Sequence, residues 1–239
     1  MSSVSAKLRR LVGAVPGSRA TLSLFRDRLF ANLSRRARFV RHYRDNYWRG
    51  SESRSGRGSS LDQTRIVREE LPRLCTELGV TSLLDVPCGD VYWIQHVNLP
   101  GLRYIGADIV PQVVADNRTR FAGTGREFIA FDLVCAPPPR VDLIFCGDLL
   151  VHLPFRDALR ALENCRKSGA TWLLTTSFTE RISNADLIGD WRPVNLSLEP
   201  FNLPQPARLI LEGCTEEGGA YRDKSLALWR LADLPPFRL

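Results

Sequence analysis

The sequence predicts an α/β fold built on a doubly wound, mainly parallel β-sheet, and three observations support this. Residues 81–90 read Thr-Ser-Leu-Leu-Asp-Val-Pro-Cys-Gly-Asp, an apolar strand followed by a tight turn and a helix start. Apolar segments with similar endings recur at residues 104–108, 128–132 and 141–148. An amphipathic run over residues 149–166 follows the fourth segment, as a βαβ unit requires.

The turn after the first strand predicts a ligand site. A helix N-terminus exposes backbone N–H groups, and Gly89 lets a ligand approach the backbone because it has no Cβ. This pattern suits a nucleotide-like cofactor. A NAD-type cofactor fits less well, because the Gly-x-Gly-x-x-Gly pattern that holds a diphosphate is absent.

The next strands also end in polar residues. The second ends at Asp108, 19 positions after Gly89, where a doubly wound sheet holds the two hydroxyls of a ribose. The third ends at Asp132. Because parallel strands finish at the same edge of a sheet, we expect these carboxylates to lie together.

The last third of the chain predicts three more strands, at residues 171–176, 209–212 and 225–230. The last two are close enough in sequence to form an antiparallel hairpin. A long loop over residues 177–206 separates them from the fifth strand.

Taken in order, these motifs resemble those of the class I S-adenosylmethionine-dependent methyltransferases. The resemblance covers roughly residues 80–232 and implies a Rossmann-like sheet of seven strands with the last strand antiparallel. A closer likeness is to an uncharacterised group of these enzymes. The motifs of that group, Ser-Gly-x-Gly-Ser-Ser, Asp-x-Pro-Cys-Gly-Asp, Asp-x-x-x-His-Leu and Asn-Leu, stand here at residues 55–60, 85–90, 148–153 and 195–196.

The resemblance implies S-adenosylmethionine as the cofactor. Asp85 would meet its cationic aminoacyl end, Asp108 its ribose hydroxyls, and Asp132 with the Leu133 backbone its adenine amino edge. Each residue has a structural alternative, since Asp85 can cap the turn and Asp108 can cap the following helix. The implied cofactor-binding residues are Asp85, Pro87, Cys88, Gly89, Asp90, Asp108, Ile109, Asp132, Leu133 and Cys146.

The first turn departs from the superfamily pattern Asp/Glu-x-Gly-x-Gly-x-Gly. Pro87 and Val91 stand at the first and third glycine positions, so Gly89 is the one glycine that is kept. S-adenosylmethionine has no phosphate and needs fewer close backbone approaches than a dinucleotide. The departure is therefore compatible with this cofactor.

Asp148 and His152 carry the predicted chemistry. If the fourth strand ends near Cys146, they fall four residues apart at the start of the next helix, on one face. His152 can then take a proton from an acceptor hydroxyl, because the unperturbed pKa of histidine is near neutrality, and Asp148 can orient it or contact the acceptor. The alternative is a structural histidine and an N-cap aspartate. His42 and His96 lack such a setting.

A hydroxyl acceptor follows by elimination. The signature Asp/Asn-Pro-Pro-Tyr/Phe of nucleobase-amine methylation is missing after the fourth strand. The loop over residues 177–206 is predicted to bind a polar ring such as a sugar, although it can also be a crossover that packs on the sheet. The predicted acceptor-binding residues are Arg57, which would reach an anionic acceptor, and Asn184, Trp191, Arg192 and Asn195.

Charge divides the chain into an extension and a domain. Residues 1–50 hold 12 Lys/Arg and 2 Asp/Glu, whereas the other 189 residues hold 21 basic and 24 acidic groups. We therefore predict a basic helical extension over residues 1–50, with amphipathic helices within residues 21–47. A Gly/Ser-rich lid loop over residues 51–60 and a methyltransferase domain over residues 61–239 follow.

A lid is the interpretation we favour for residues 51–60, because the glycines in and beside this segment indicate mobility; the alternative is an ordinary linker. The next helix is expected to begin near Leu61. Pro72 predicts that this helix breaks or kinks near Glu69 or Glu70.

The six cysteines form no Cys-x-x-Cys pair, which predicts reduced core thiols, no metal site and a cytoplasmic protein. No apolar run is long enough for a membrane span, and the sequence does not indicate an oligomeric state. We expect a methyltransferase that acts on a small-molecule or glycan hydroxyl. Two alternatives stay open: an inactive methyltransferase-like binding module, and an RNA or nucleotide methyltransferase recruited by the basic arm. Nucleic acid is the less favoured partner, because the domain itself is net acidic.

Overall fold

The computed structural model describes residues 34–237 except residue 124. Its α-helices are α1 (Arg35–Arg44), α2 (Arg65–Glu77), α3 (Pro111–Phe121) and α4 (Phe155–Lys167). Its strands are β1 (Ser82–Asp85), β2 (Arg103–Asp108), β3 (Arg126–Ala130), β4 (Leu143–Cys146), β5 (Trp172–Phe178), β6 (Arg208–Leu211) and β7 (Lys224–Arg230). Single 3-10 turns stand at Arg57–Ser59, Ile94–His96, Leu150–His152, Glu216–Gly219 and Leu231–Asp233. The site described below lies within the unit that begins at Phe39.

The strands form one sheet in the order β3-β2-β1-β4-β5-β7-β6. Every neighbouring pair is parallel except the two pairs that contain β7, which runs antiparallel to β5 and β6. This confirms the predicted Rossmann-like sheet of seven strands with the last strand antiparallel. The strand order reverses beside β1, and ligands of doubly wound folds bind at such a switch point.

The core covers both faces of the sheet. In β4, Leu143 and Phe145 belong to one buried cluster, and the alternate residues Ile144 and Cys146 belong to the other. Helix α2 contributes to the first cluster and α4 to the second. A fully buried apolar side chain stabilises a fold by about 1.5–3 kcal/mol, so burial on both faces explains why β4 is apolar at every position.

The region after β4 differs from the predicted continuous helix over residues 149–166. A 3-10 turn at Leu150–His152 comes first, and α4 begins only at Phe155. Pro154 separates the two, because proline fixes an extended entry and has no N–H to donate. Asp148 and His152 therefore do not share one face of an α-helix, and that prediction is wrong.

The helix before β1 also differs from the prediction. It begins at Arg65 instead of near Leu61 and is assigned as one helix through Pro72, without a break at Glu69 or Glu70. Proline inside a helix costs about 3 kcal/mol. Burial of the apolar face of α2, which includes Leu71 and Leu74, offsets that cost.

Helix α1 lies within the predicted helical stretch of residues 21–47, while residues 21–33 lie outside the described part of the chain. None of the helices in the described ranges is long and apolar enough to cross a bilayer. The same ranges contain no cluster of His, Cys, Asp and Glu side chains that could hold a metal ion. The division of residues 1–60 into an extension and a lid stays a prediction.

Candidate active site

A cavity of about 560 Å³ opens at the carboxyl edge of the sheet. Strand ends surround it: Asp85 ends β1, Asp108 ends β2, and Gly147 follows β4. Thr176 lies near the end of β5, and Lys224 begins the antiparallel β7, so both reach the same edge. The sheet therefore gathers residues that are far apart in sequence around one space.

Asp85 is buried at the end of β1. Its carboxylate accepts a hydrogen bond of 2.6 Å from the Tyr104 hydroxyl on the adjacent strand. Burial raises the pKa of Asp85 to about 7, the Tyr104 hydrogen bond lowers it, and the negative charge of Asp108 raises it. A cationic ligand beside Asp85 would favour the ionised form and lower this pKa.

Asp108 closes the turn after β1 from the neighbouring strand. Its carboxylate accepts hydrogen bonds from the N–H groups of Gly89 at 3.1 Å and Val110 at 2.8 Å. Burial raises its pKa to about 6, although these backbone hydrogen bonds lower it. Each oxygen accepts one backbone hydrogen bond and has a second lone pair that a ligand hydroxyl can use. The capping role and a ribose-binding role are therefore compatible.

Residues 53–55 cover the glycine turn. Asp90 accepts hydrogen bonds from the Ser53 hydroxyl at 2.7 Å and the Arg54 N–H at 2.9 Å. Gly89 has a φ of +52°, and a Cβ there would lie 2.2 Å from Ser55 Oγ. The motif that contains Ser55 and the Asp-x-Pro-Cys-Gly-Asp motif therefore touch, and glycine is needed where they meet.

Asn117, a residue that the sequence analysis missed, fixes the same turn from α3. Its side chain is buried and donates a hydrogen bond of 2.7 Å to the Gly89 carbonyl oxygen. Cys88 beside it is buried, and burial raises the pKa of this thiol well above its usual value. Pro87 and Ile109 also line the cavity. The turn is held from three sides, by β2, by α3 and by residues 53–55.

His152 lines the cavity from the 3-10 turn Leu150–His152, which follows β4. Its Nδ1 lies 2.6 Å from the backbone carbonyl oxygen of Asp190. A carbonyl oxygen only accepts, so the neutral ring donates from Nδ1 and has its lone pair on Nε2. The rings of Trp48 and Phe39 pack against His152 with centroids 5.3 and 6.2 Å away. This tautomer makes Nε2 the basic nitrogen of the ring, which is the form that a general base requires.

The Asp190 carboxylate joins this wall to α1. Trp48 Nε1 donates a hydrogen bond of 3.1 Å to it, and His42 Nδ1 lies 3.4 Å from its other oxygen. His42, which the sequence analysis set aside, is buried, and its ring stacks on Tyr47 with centroids 4.2 Å apart. Residues of α1 and of the loop after β5 thus position His152 together.

Asp148 has a different partner from the predicted one. It follows β4 with a φ of +51°, and its N–H donates a hydrogen bond of 2.9 Å to Thr176 Oγ1. Its carboxylate accepts a hydrogen bond of 2.6 Å from Lys224 Nζ, which also lies 3.4 Å from Glu212. Burial lowers the pKa of Lys224, but the negative charges of Asp148 and Glu212 outweigh it and raise this pKa above its usual value. Asp148 therefore belongs to an ion cluster, and its predicted role in orienting His152 has no support in this geometry.

Three of the predicted cofactor residues are absent from the cavity wall in the described ranges: Asp132, Leu133 and Cys146. Asp132 lies two positions beyond β3 and accepts a hydrogen bond of 3.1 Å from the Val134 N–H. Leu133 is buried in the core. The Cys146 side chain points to the α4 face of the sheet, and burial raises its pKa to about 12. The Cys146 side chain thus packs in the core instead of lining the cavity.

The predicted acceptor residues separate into two groups. Arg57 and Trp191 line the cavity, and Trp191 packs on Phe178 and Tyr221. The side chains of Asn184, Arg192 and Asn195 instead hold the loop after β5 together, which corrects their predicted role. All three donate hydrogen bonds to backbone carbonyls: Asn184 to those of residues 195 and 199, Arg192 to those of residues 150, 151 and 185, and Asn195 to those of residues 179 and 181.

Comparison with known protein families gives a match to part of the chain. A family model described as a methyltransferase domain matches residues 84–169. No curated protein matches this sequence.

Solved structures share the fold. The 1,6-didemethyltoxoflavin-N1-methyltransferase of Burkholderia thailandensis, with bound 1,6-didemethyltoxoflavin and S-adenosylhomocysteine, is 17% identical with a TM-score of 0.56, over 82% of this chain and 86% of that chain. The N-methyltransferase NodS of Bradyrhizobium japonicum, in complex with S-adenosylhomocysteine, is 17% identical with a TM-score of 0.55, over 79% of this chain and 97% of that chain. An S-adenosylmethionine-dependent methyltransferase from Clostridium acetobutylicum is 10% identical with a TM-score of 0.52, over 70% of this chain and 91% of that chain.

The matched domain runs from within β1 to beyond the end of α4, so it includes the glycine turn, Asp108 and His152. Similarity at these identities shows the fold of the whole sheet. The comparisons therefore show a methyltransferase-domain match over residues 84–169 and a fold shared with S-adenosylmethionine-dependent methyltransferases of known structure.

Proposed function

We propose that this protein transfers a methyl group from S-adenosylmethionine to a hydroxyl of a small-molecule acceptor. The observation that carries the proposal is that one cavity has two chemically different sides. The cofactor side is formed by Asp85, Gly89 and Asp108, and the acceptor side by Asp148, His152 and Lys224.

The cofactor side fits S-adenosylmethionine by charge and by hydrogen-bonding capacity. Asp108 has lone pairs for the ribose hydroxyls, and the buried carboxylate of Asp85 suits the aminoacyl ammonium group. Asp132 and the Leu133 backbone, which follow β3, are proposed to contact the adenine amino edge, although neither residue lines the cavity. When bound, the cofactor supplies a methyl group on a positively charged sulfur.

On the acceptor side, His152 is proposed as the base. The Asp190 carbonyl fixes the tautomer, so Nε2 can take the proton from the hydroxyl as its oxygen gains the methyl group. The surrounding aromatic rings exclude water and restrict the acceptor. Alignment alone lowers such a barrier by roughly 7–11 kcal/mol, so we expect His152 to accelerate the reaction without being indispensable.

A small acceptor agrees with the size of the cavity, which at about 560 Å³ is in the usual range for small-molecule sites. The enzyme from Burkholderia thailandensis was solved with 1,6-didemethyltoxoflavin bound. That enzyme and NodS are described as N-methyltransferases, so the position of the methyl group has to be tested directly.

The test is transfer of the tritiated methyl group of S-adenosylmethionine to a panel of phenols, sugars, hydroxy acids and amines, with the products identified by mass spectrometry. We expect methyl ethers as products. His152→Ala should lower kcat by about 100-fold, the lower range for loss of a general base. His96→Ala, at an exposed histidine of the 3-10 turn Ile94–His96, is the matched control and should keep full activity.

Methylation of amines alone would overturn the hydroxyl assignment. Binding of S-adenosylmethionine with no transfer to any member of the panel would instead favour the inactive binding module.

A further inference from the structure

Three carboxylates surround one buried lysine on the acceptor side. Lys224 Nζ lies 2.6 Å from Asp148 and 3.4 Å from Glu212. Glu216 is the third, since its Oε2 and Lys224 Nζ both lie close to the position that a Cβ on Gly58 would occupy, at 3.3 and 3.9 Å. We call Asp148, Glu212 and Glu216 the carboxylate cluster. With Lys224 it has an excess of two negative charges when all four groups are ionised.

Glu212 has a carboxylate oxygen that lacks a partner. The Glu212 side chain is 9% exposed and lines the cavity, and its Oε2 faces Lys224. Its Oε1 is buried and makes no hydrogen bond within the described part of the chain. A buried acceptor without a partner costs about 1–3 kcal/mol, more for a charged group, so this oxygen is suited to a donor brought by a ligand.

The rest of the wall does not cancel this charge. Seven carboxylates line the cavity in the described ranges against three basic side chains; they are Asp85, Asp90, Asp108, Asp148, Glu212, Glu216 and Glu217 against Arg49, Arg57 and Lys224. Burial raises the pKa of Glu216, while the positive charges of Lys224 and Arg57 lower it. Lys224 is already paired with Asp148. The unmatched charge on the acceptor side is therefore negative, which disfavours the anionic acceptor suggested by Arg57 alone.

We propose that the carboxylate cluster is a subsite for a positively charged nitrogen group of the acceptor, an ammonium or guanidinium that donates to Glu212 Oε1. This rests on the proposed function and narrows it: the acceptor is a hydroxyl compound that also carries a cationic amine, such as an amino alcohol, an amino sugar or a phenolic amine. The amine binds the cluster, while the hydroxyl faces His152.

The burial of Glu212 agrees with a ligand of this charge. Burial raises the pKa of Glu212 to about 7, and the positive charge of Lys224 lowers it. A second cation beside the carboxylate would stabilise the ionised form further. An anionic or neutral ligand would leave the buried charge uncompensated.

Three probes of similar size separate the effect of charge from that of the ring: tyramine, 4-ethylphenol and 4-hydroxyphenylacetate. Their dissociation constants are measured by calorimetry or ligand-observed NMR on the full chain, with and without saturating S-adenosylhomocysteine. We expect tyramine to bind at least tenfold more tightly than either of the other two. Equal or tighter binding of the neutral or anionic probe, or no tyramine binding at millimolar concentration, would overturn the proposal.

Variants locate the subsite. Glu212→Gln keeps the shape of the side chain and should weaken tyramine binding by about tenfold while leaving 4-ethylphenol unchanged. Glu216→Gln, at a half-buried position, gives an independent test if the first variant is unstable. Glu69→Gln on the exposed face of α2 is the matched control and should change nothing. Loss of both probes in Glu212→Gln, in a protein that still folds, would contradict a role specific to charge.

The outcomes also separate this inference from the proposed function. If S-adenosylhomocysteine binds but tyramine has no preference, the subsite is wrong and the methyltransferase stands. If S-adenosylhomocysteine does not bind, the proposed function fails. The preference for a cationic probe is then judged from the dissociation constants measured without S-adenosylhomocysteine.

Discussion

Carboxylates on the cofactor side of the cavity and carboxylates of the scaffold are held in opposite ways. At the cavity, burial raises the pKa of Asp85 to about 7 and of Asp108 to about 6, and neither forms an ion pair among the described residues. In the scaffold, Arg166 lies 2.8 Å from Glu163 on α4 and holds the pKa of that carboxyl at about 2. The scaffold thus supplies cations for its own carboxylates, whereas the cofactor side has negative charge that a cationic ligand would match.

The largest effect is expected at Asp85. The folded-state pKa of about 7 exceeds the ordinary value of 3.8, so the folded protein binds this proton more tightly than the unfolded chain. The associated stability is fully present below about pH 4 and is lost as the pH rises to about 7. Asp85→Asn removes that loss, so the variant should gain up to about 4 kcal/mol relative to the natural protein between pH 4 and pH 8. Urea denaturation at both pH values measures it.

The same variant should bind S-adenosylmethionine at least tenfold more weakly, because it no longer offers a charge to the aminoacyl ammonium group. A gain in stability with a loss of affinity is the signature of a charge kept for a ligand. If the stability difference between Asp85→Asn and the natural protein did not change with pH, the proposed contrast between cavity and scaffold carboxylates would be contradicted.

Glu163 should show the opposite sign. Its pKa lies below the ordinary value of 4.5, so its contribution is present above about pH 4.5 and is lost as the pH falls to about 2. Glu163→Gln should therefore cost about 2 kcal/mol of unfolding free energy at pH 7, the range for a hydrogen bond to a charged group. Cofactor affinity should not change. Increased stability in this variant at pH 7 would contradict the distinction between scaffold and cavity.

Asp90 tests whether a cavity carboxylate with protein partners behaves like a scaffold group. Asp90→Asn weakens the bonds to Ser53 and the Arg54 N–H, each worth about 1.5–3 kcal/mol when the acceptor is charged. Residues 53–55 should exchange their amide hydrogens at least tenfold faster. Asp62→Asn, at an exposed site, is the control. Unchanged exchange would mean that these bonds do not hold the segment.

The smallest effect is expected at the exposed pair of Arg65 and Glu69, which lie 3.4 Å apart on α2. Because water screens such a pair, Arg65→Ala should change the unfolding free energy by less than about 0.5 kcal/mol in denaturation at pH 7. A larger loss would show that solvent-exposed pairs contribute to the scaffold as much as Glu163 does.

Local patterns were sufficient for the sheet. Each strand was recognisable from four to seven consecutive residues, and the carboxylates Asp85 and Asp108 lie at strand ends because parallel strands finish at one edge. The predicted start of α4 is too early, because the amphipathic period continues across Pro154. The backbone at Pro154 is extended, so the helix begins only at Phe155.

Partners that are distant in sequence could not be predicted. Lys224 pairs with Asp148 across 76 positions, and Asp190 contacts His152 across 38. Neither contact leaves a local signal in the sequence, because both depend on how β7 and the loop after β5 return to the carboxyl edge of the sheet. Asn184, Arg192 and Asn195 were assigned to the acceptor by residue type alone, and the loop uses them for its own carbonyls.

Calorimetric titration of S-adenosylmethionine into the natural protein, Asp108→Asn and the exposed control Glu127→Gln tests whether the carboxylates at the strand ends bind the cofactor. We expect one cofactor bound per chain, an affinity at least tenfold lower in Asp108→Asn, and no change in the control. Equal affinity in all three, or no binding to the natural protein, would contradict it.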